Sequence, residues 1–332
     1  MTDDGIGGGR DCVPGLLSVP GFGQGRTHIL WDNGNGTASL RRLDAAGGLD
    51  LKPEGEPAPY LFGPFAGWTP RAVAAGSDGM VFLLWTGRDR TASVWSVDME
   101  DGDYRHVEFG PYAGWEARAL AVGPDAVLRV LWAGADGAAA LWSLRPGAPP
   151  EAMDYGPFPG WAAASLSVGP DNRAHLLWTR DDGAASVWRV GADGRALQTE
   201  YGPHDGWSAV AVAAGRDGTS RLLWKRAGGC ASLWTLPAGG GDSENGLAHS
   251  EGQAPFESQA PSQGHAQTLC GPFEGWTPAA VAIDADDAAQ LLWRCDGGGP
   301  ASVWRVDAAG GLTHAEYGPY AGWSPVALAS AP

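Results

Sequence analysis

The chain has 332 residues, 44% hydrophobic and 18% charged, and its 38 acidic against 22 basic side chains give a net charge of −16. This balance disfavours nucleic acid and anionic membrane surfaces as partners, because both need a basic protein surface. No apolar run approaches the roughly 18 residues that suggest a transmembrane helix, so membrane insertion is not expected.

The N-terminal stretch MTDDGIGGGRDCVPG has neither a basic region nor an apolar core of the kind found in secretory signals. We therefore expect no Sec signal peptide, which leaves the cytoplasm or export without a signal as the localisation. We interpret residues 1–20 as an accessory segment. The four cysteines form no CxxC pair, and we expect free thiols, although a contact between Cys230 and Cys295 is conceivable.

All tryptophans fall into three repeating registers, so the whole chain is one repeat array. The first register ends six copies of the frame GPxxGW, and we call its members the GW tryptophans: Trp68, Trp115, Trp161, Trp207, Trp276 and Trp323. The second ends an apolar triplet such as LLW: Trp31, Trp85, Trp132, Trp178, Trp224 and Trp293. The third lies in segments such as ASVW: Trp95, Trp142, Trp188, Trp234 and Trp304, with Arg41 at the sixth position.

Each repeat predicts four short antiparallel strands. In residues 68–111, WTPRAVAAG, MVFLLW, TASVWSVD and YRHVEF are separated by Gly- and Asp-containing turns, which is the pattern of successive hairpins. Four strands in about 46 residues is the spacing of β-propeller blades. A longer interval at 237–269, rich in Gly, Ser, Gln and Pro, predicts a flexible insertion within a blade.

The predicted fold is all-β: one six-bladed β-propeller over residues 1–332, with four-stranded antiparallel blades. Small residues in the first strand of each repeat suit a crowded central axis, and the middle strands are apolar on both faces, as expected between neighbouring blades. The terminal GPYAGWSPVALAS is a first strand without a following hairpin, so we expect it to close the ring by completing the first blade. Tandem β-trefoils are the alternative, and they would require a break in mid-chain.

Strand direction brings the GPxxGW loops and the ends of the second and fourth strands to one side of the disc. An acid precedes four of the loops, namely Glu108, Asp154, Glu200 and Glu316, whereas Leu61 and Leu269 occupy the other two positions. The GW tryptophans have two interpretations. They plug the blade junctions, or their indoles and these acids bind the apolar face and the hydroxyls of sugars.

The six Trp-rich tandem units resemble bladed lectin propellers, such as the six-bladed fucose-binding lectins and the tectonin-type repeats. The resemblance covers nearly the whole chain in period and architecture, but the Arg–Glu–Trp sugar triad of the fucose lectins has no matching register. It implies a multivalent lectin-like protein that binds glycans or glycoconjugates. The sugar chemistry of the residues themselves, rather than the resemblance, suggests the six GW tryptophans and the four acids as ligand-binding residues. The alternative is a protein-interaction scaffold that uses the same side of the disc.

An enzyme is not expected. The seven histidines occupy unrelated registers, and no GxSxG, HExxH or GxxxxGK[ST] motif occurs, so neither catalytic residues nor cofactors are predicted. Catalysis in the central channel would require paired carboxylates there. Asp284, Asp286 and Asp287 could hold Ca²⁺ in a turn, although a solvated acidic hairpin is the preferred interpretation, and no metal site is predicted.

Overall fold

The computed structural model describes residues 27–44, 47–49, 60–99, 102–238 and 266–331. Within these ranges the regular elements are strands, arranged as six four-stranded antiparallel sheets. Blade 1 contains β1 (Thr27–Asp32), β2 (Ala38–Leu43), β3 (Tyr60–Phe62) and β24 (Ser324–Ser330). Blade 2 contains β4 (Trp68–Ala75), β5 (Met80–Gly87), β6 (Ala92–Asp98) and β7 (Tyr104–Phe109).

The other four blades follow the same order from the central axis outward. Blade 3 contains β8 (Trp115–Val122), β9 (Leu128–Gly134), β10 (Ala139–Leu144) and β11 (Glu151–Tyr155), and blade 4 contains β12 (Trp161–Val168), β13 (Ala174–Arg180), β14 (Ala185–Val190) and β15 (Ala196–Tyr201). Blade 5 contains β16 (Trp207–Ala214), β17 (Ser220–Arg226), β18 (Cys230–Leu236) and β19 (Ala266–Cys270), and blade 6 contains β20 (Trp276–Ile283), β21 (Ala289–Cys295), β22 (Ala301–Val306) and β23 (Leu312–Tyr317).

This arrangement confirms the six-bladed propeller, and the tandem β-trefoil alternative is wrong. The strands expected in residues 68–111 match β4 to β7 closely. The proposed accessory segment 1–20 lies outside the described residues, as do residues 239–265 of the 237–269 insertion. Residues 266–269 of that interval belong to β19, the outer strand of blade 5.

Aspartates shape the turns between the strands. In each case Oδ1 of the aspartate accepts a hydrogen bond from the backbone N–H two residues later, so the side-chain oxygen takes the place of a backbone carbonyl in the turn. This bond is made by Asp32, Asp78, Asp89, Asp125, Asp136, Asp171, Asp182, Asp193, Asp217, Asp284 and Asp307. Much of the acidic composition therefore serves local backbone geometry.

The inner strands β4, β8, β12, β16, β20 and β24 surround a central channel of about 390 Å³. Its lining is dominated by small apolar side chains such as Ala74, Ala121 and Ala213, which allow six strands to approach one axis. The small residues of the first strands were predicted to lie there, and they do. Among the residues that line it in the described part of the chain, the charged ones are Arg216 and Asp284.

The ring closes through pairing of the C-terminal strand with the first described strand. β24 pairs antiparallel with β1, with Thr27 opposite Ser330 and a bulge between Leu30 and Trp31. The closure predicted from the sequence is therefore confirmed.

A buried polar network links this closing pair to blade 6. Thr27 Oγ1 donates to Gln290 Oε1 at 2.7 Å and lies 3.1 Å from Ser330 Oγ. Gln290 and Asp284 are both fully buried, and Arg305 Nε donates to Asp284 Oδ2 at 2.6 Å. Asp284 of the acidic hairpin is thus buried and held by arginine rather than solvated as expected, whereas Asp286 remains exposed.

Candidate functional site

Six hydrophobic clusters fill the six blade junctions, one in each. At every junction one blade contributes the sheet face that carries its tryptophans, which we call the Trp face. The preceding blade contributes the opposite face of its own sheet. At the junction of blades 2 and 3, for example, Trp132 packs with Leu84 and Val94.

The second-register tryptophans form the centre of each junction. All six are at most 1% exposed, and each meets edge-on the aromatic residue that follows Gly-Pro in the GPxxGW loop of its own blade. The ring centroids are 5.2 to 5.6 Å apart in the pairs Trp31–Tyr320, Trp85–Phe65, Trp132–Tyr112, Trp178–Phe158, Trp224–His204 and Trp293–Phe273. The indole nitrogens of these six tryptophans are buried without a hydrogen-bond partner.

The third-register tryptophans pack on the second-register set and use a local hydrogen bond. Trp188 Nε1 donates to Ser186 Oγ at 3.0 Å, and the same bond occurs in blades 2, 5 and 6. In blade 3 the serine position is Ala140. In blade 1 the tryptophan is replaced by Arg41, whose guanidinium lies 3.7 Å from the centroid of the Tyr320 ring, so a cation–π contact substitutes for indole packing.

Each GPxxGW loop is fixed by its backbone. All six Gly–Pro bonds are cis, and the glycines at both ends of the frame have positive φ, as in Gly63 (φ 102°) and Gly67 (φ 86°). The loop also touches the preceding blade, because Phe158 N donates to the carbonyl of Gly137 at 3.0 Å. A Cβ on Gly137 would lie 2.1 Å from the carbonyl oxygen of Phe158, so only glycine fits this approach.

The GW tryptophans lie on the Trp face at the start of the inner strands: five are the first residue of their strand, and Trp323 immediately precedes β24. Five are partly exposed, and Trp161 is 5% exposed. The side chain that can cover each indole comes from the residue paired with the tryptophan on the second strand. This paired residue is glycine for Trp68 and Trp115, arginine for Trp161 and Trp207, and cysteine for Trp276.

The four acids lie on the Trp face of the blade that contains them. Glu108 pairs with Ser93, Glu200 with Ser186 and Glu316 with Ser302, each next to a third-register tryptophan; Asp154 pairs with Ala140. Directly paired residues point to the same side of a sheet. Each acid therefore shares a face with the GW tryptophan of its own blade, for instance Glu108 with Trp68. The GW tryptophan that follows the acid in sequence belongs to the next blade, so the acid's own blade lies between the two.

Blade 4 has the most polar of these faces. The guanidinium of Arg180 lies 4.9 Å from the centroid of the Trp161 ring, and its NH2 group lies 2.7 Å from Asp182 Oδ2. Burial raises the pKa of Glu200, against the opposing effect of the Arg180 charge, and Glu200 Oε2 has no hydrogen-bond partner. An arginine, a glutamate and a tryptophan thus share one face, which the sequence did not show because they come from three strands.

In blade 5 the GW position and the acid position bound a cleft of about 420 Å³. It extends from Trp207 on the first strand, across Arg226 and Ser232, to Leu269 on the fourth. Three strand spacings separate its ends, about 14 Å. The volume lies in the range of small-ligand sites, about 300–1,000 Å³.

Two other groups of residues differ from the sequence expectation. His106 and His314 share one register, stacked on Trp95 and Trp304 at 5.2 and 4.8 Å, so the histidines are not all unrelated. Cys295 is disulfide-bonded, which corrects the expectation of free thiols, whereas Cys230 and Cys270 are free and the conceivable Cys230–Cys295 pair is wrong.

Neither a metal cluster nor a membrane helix is found in the described ranges. No group of three or more His, Cys, Asp or Glu side chains there is placed to hold a metal ion, and the candidate calcium ligand Asp284 is instead bonded to Arg305. No helix of sufficient length and hydropathy to cross a membrane occurs in the same ranges.

Comparison with known proteins shows similarity of fold. No family model matches the chain, and a search of curated proteins gives no match. Among solved structures, the chain is similar to a protein of unknown function from Bacteroides caccae (TM-score 0.54, 10% identity, 92% of this chain and 98% of that chain). It is also similar to AofleA from Arthrobotrys oligospora (TM-score 0.54, 12% identity, 95% of this chain and 92% of that chain).

A weaker likeness extends to the SapL1 lectin, whose structure was solved with alpha methyl fucoside (TM-score 0.48, 12% identity, 86% of this chain and 94% of that chain). At these identities the comparisons concern architecture. The protein is thus a Trp-rich six-bladed β-propeller of the kind expected from the resemblance to lectin propellers.

Proposed function

We propose that the protein is a multivalent lectin that binds carbohydrate in the clefts on the Trp faces of its blades, and that it is not an enzyme. The observation that carries this proposal is the cleft of blade 5, which joins the GW and acid positions and has room for a monosaccharide. Equivalent positions recur around the ring, and several weak sites on one rigid disc gain avidity for a glycosylated surface.

The corresponding Trp faces of blades 2 and 3 have the chemistry best suited to a neutral sugar. Trp68 and Trp115 are partly exposed and face Gly87 and Gly134, so no cross-strand side chain covers the indole. The C–H face of a pyranose can stack there. The exposed carboxylates of Glu108 and Asp154, at the opposite end of the same faces, can accept hydrogen bonds from hydroxyl groups.

A glycan array identifies the ligand, and titration of the free methyl glycoside, followed by tryptophan fluorescence, then measures the intrinsic affinity without avidity. Because Trp68 and Trp115 occupy equivalent positions opposite glycine, the informative variant combines Trp68→Ala with Trp115→Ala. We expect it to weaken binding about two- to twelvefold, since an aromatic stacking contact contributes about 0.5–1.5 kcal/mol beyond the area it buries. The control is Leu197→Ala, which truncates an exposed apolar residue on the opposite face of blade 4.

Silence on a broad array would refute the proposal. Unchanged affinity of the double tryptophan variant, with the same thermal stability as the wild type, would refute the assignment of the sites. Loss of binding in Leu197→Ala would show that the surface outside the Trp faces carries the activity.

A further inference from the structure

The blade 5 cleft differs in charge from the Trp faces of blades 2, 3, 4 and 6, each of which carries an acid. The acid position is Leu269, whose side chain is 64% exposed, and the turn after Arg226 reads Ala-Gly-Gly. In blade 4 the equivalent Arg180 is paired with Asp182 and lies near Glu200. Within the described residues no carboxylate lies at ion-pair distance from Arg226.

The walls of the cleft combine apolar and polar surfaces. The Arg226 guanidinium lies 4.9 Å from the centroid of the Trp207 ring, and Leu269 forms the opposite wall. Between them, Gln267 Nε2 donates to Ser232 Oγ at 2.8 Å, leaving the amide oxygen of Gln267 as an acceptor for a ligand hydroxyl. His204 packs edge-on against Trp234 at 5.1 Å.

The lining of the cleft supplies positive charge without a negative one. Burial raises the pKa of Cys270 to about 11, so this thiol stays neutral at physiological pH. The described lining residues contain no Asp or Glu. On a chain with a net charge of −16, an arginine in a cleft whose described lining residues contain no acid favours an anionic ligand there.

The geometry points to a carboxylate-bearing monosaccharide, a hexuronic acid, as the ligand of the blade 5 cleft. This inference rests on the proposed lectin function and assigns one of its sites a distinct ligand. The sugar ring lies between Trp207 and Leu269, its hydroxyl groups meet Gln267 and Ser232, and its carboxylate takes the two parallel N–H donors of Arg226. A bidentate arginine–carboxylate pair selects the acid over the corresponding neutral sugar.

The test compares methyl glucuronide and methyl galacturonide with the matched methyl glucoside and methyl galactoside, by isothermal titration calorimetry on the full chain. We expect at least one uronide to bind about tenfold or more tightly than its neutral partner, because a hydrogen bond to a charged group contributes the free energy of roughly a tenfold to hundredfold change. Arg226→Gln abolishes this preference, and higher salt weakens uronide binding.

Two variants complete the design. Leu269→Glu introduces, at an exposed position, the acid that blades 2, 3, 4 and 6 carry there, and is expected to lower uronide affinity by a similar factor. Arg195→Gln removes one positive charge from an exposed turn of blade 4 and is expected to leave uronide affinity unchanged. If Arg226→Gln fails to fold, as thermal unfolding would reveal, Leu269→Glu decides the question.

Equal affinity for uronides and neutral sugars, or uronide binding insensitive to both Arg226→Gln and Leu269→Glu, overturns the inference. If neutral glycosides still bind and depend on Trp68 and Trp115, the lectin proposal survives that failure. Conversely, Arg226-dependent uronide binding without any neutral binding supports the inference and refutes the neutral sites of blades 2 and 3.

Discussion

Replacing Asp284 by alanine tests the buried polar network that links blade 6 to the closing strand pair. The Asp284 side chain is fully buried, its Oδ1 accepts hydrogen bonds from the backbone N–H groups of Asp286 and Ala288, and its Oδ2 accepts from Arg305. The Arg305 side chain is only 15% exposed. Removing the carboxylate therefore leaves a largely buried cation and two backbone donors without an acceptor.

Loss of one partner from a buried ion pair costs about 3–5 kcal/mol. Arg305 retains a second contact with Asp286 at 3.1 Å, so we expect a value near the lower end of this range, about 3 kcal/mol. For a chain of this size that loss corresponds to a decrease in melting temperature of about 4 °C. Urea unfolding followed by tryptophan fluorescence measures the change in free energy.

The matched control is Asp286→Ala, which removes the solvated partner of the same arginine and should cost less than about 1 kcal/mol. Adding Arg305→Met to Asp284→Ala removes the stranded cation and should recover part of the lost stability. A cost below about 1 kcal/mol for Asp284→Ala, or a double variant no more stable than the single one, would refute this explanation of the network.

Three further predictions concern the junctions and the second strand of blade 4. His175 Nδ1 lies 2.8 Å from Ser220 Oγ, and burial lowers the pKa of His175 to about 4. The unfolded state therefore binds the proton more readily than the folded state. The free energy of unfolding should fall by up to about 3 kcal/mol as the pH drops from about 6.5 to 4. His175→Gln should flatten this dependence in acid titrations of the unfolding free energy, and an unchanged curve would assign it to other groups. Ser186→Ala should destabilise the protein by about 1–3 kcal/mol in urea, because the buried indole N–H of Trp188 loses its acceptor; a neutral effect would contradict this role. Ala140→Ser should raise the melting temperature slightly by adding in blade 3 the bond present in four other blades, and a lower melting temperature would show that the site cannot accept the hydroxyl.

The fold was predictable because its signals are local and repeated. Period-two apolar runs and glycine turns specify each hairpin, and the unpaired first strand at 324–330 indicates how the ring closes. The tryptophan registers likewise predict which residues fill the junctions. These features depend on neighbours within one repeat, and six copies make the pattern unmistakable.

The site was harder to predict because its parts come from different strands. The sequence places Glu108 next to Trp115, yet the sheet turns that carboxylate toward the face of Trp68. The strand register of two hairpins was needed to see that Arg180 and Glu200 share a face. It was also needed to see that no carboxylate of the described residues lies at ion-pair distance from Arg226. The cis Gly–Pro bonds were also missed, since the dipeptide is compatible with either isomer.

The negative charges of the turn aspartates lie on residues other than those proposed to bind a ligand. Asparagine offers the same side-chain oxygen to the backbone, so Asp78→Asn or Asp171→Asn could preserve a turn while removing a negative charge. With Asp284 kept for its buried network, such changes at the other ten turn aspartates would reduce the net charge from −16 to −6 while preserving the turns. The isoelectric point is therefore adjustable independently of the architecture, and with it colloidal solubility and the rate of approach to charged surfaces.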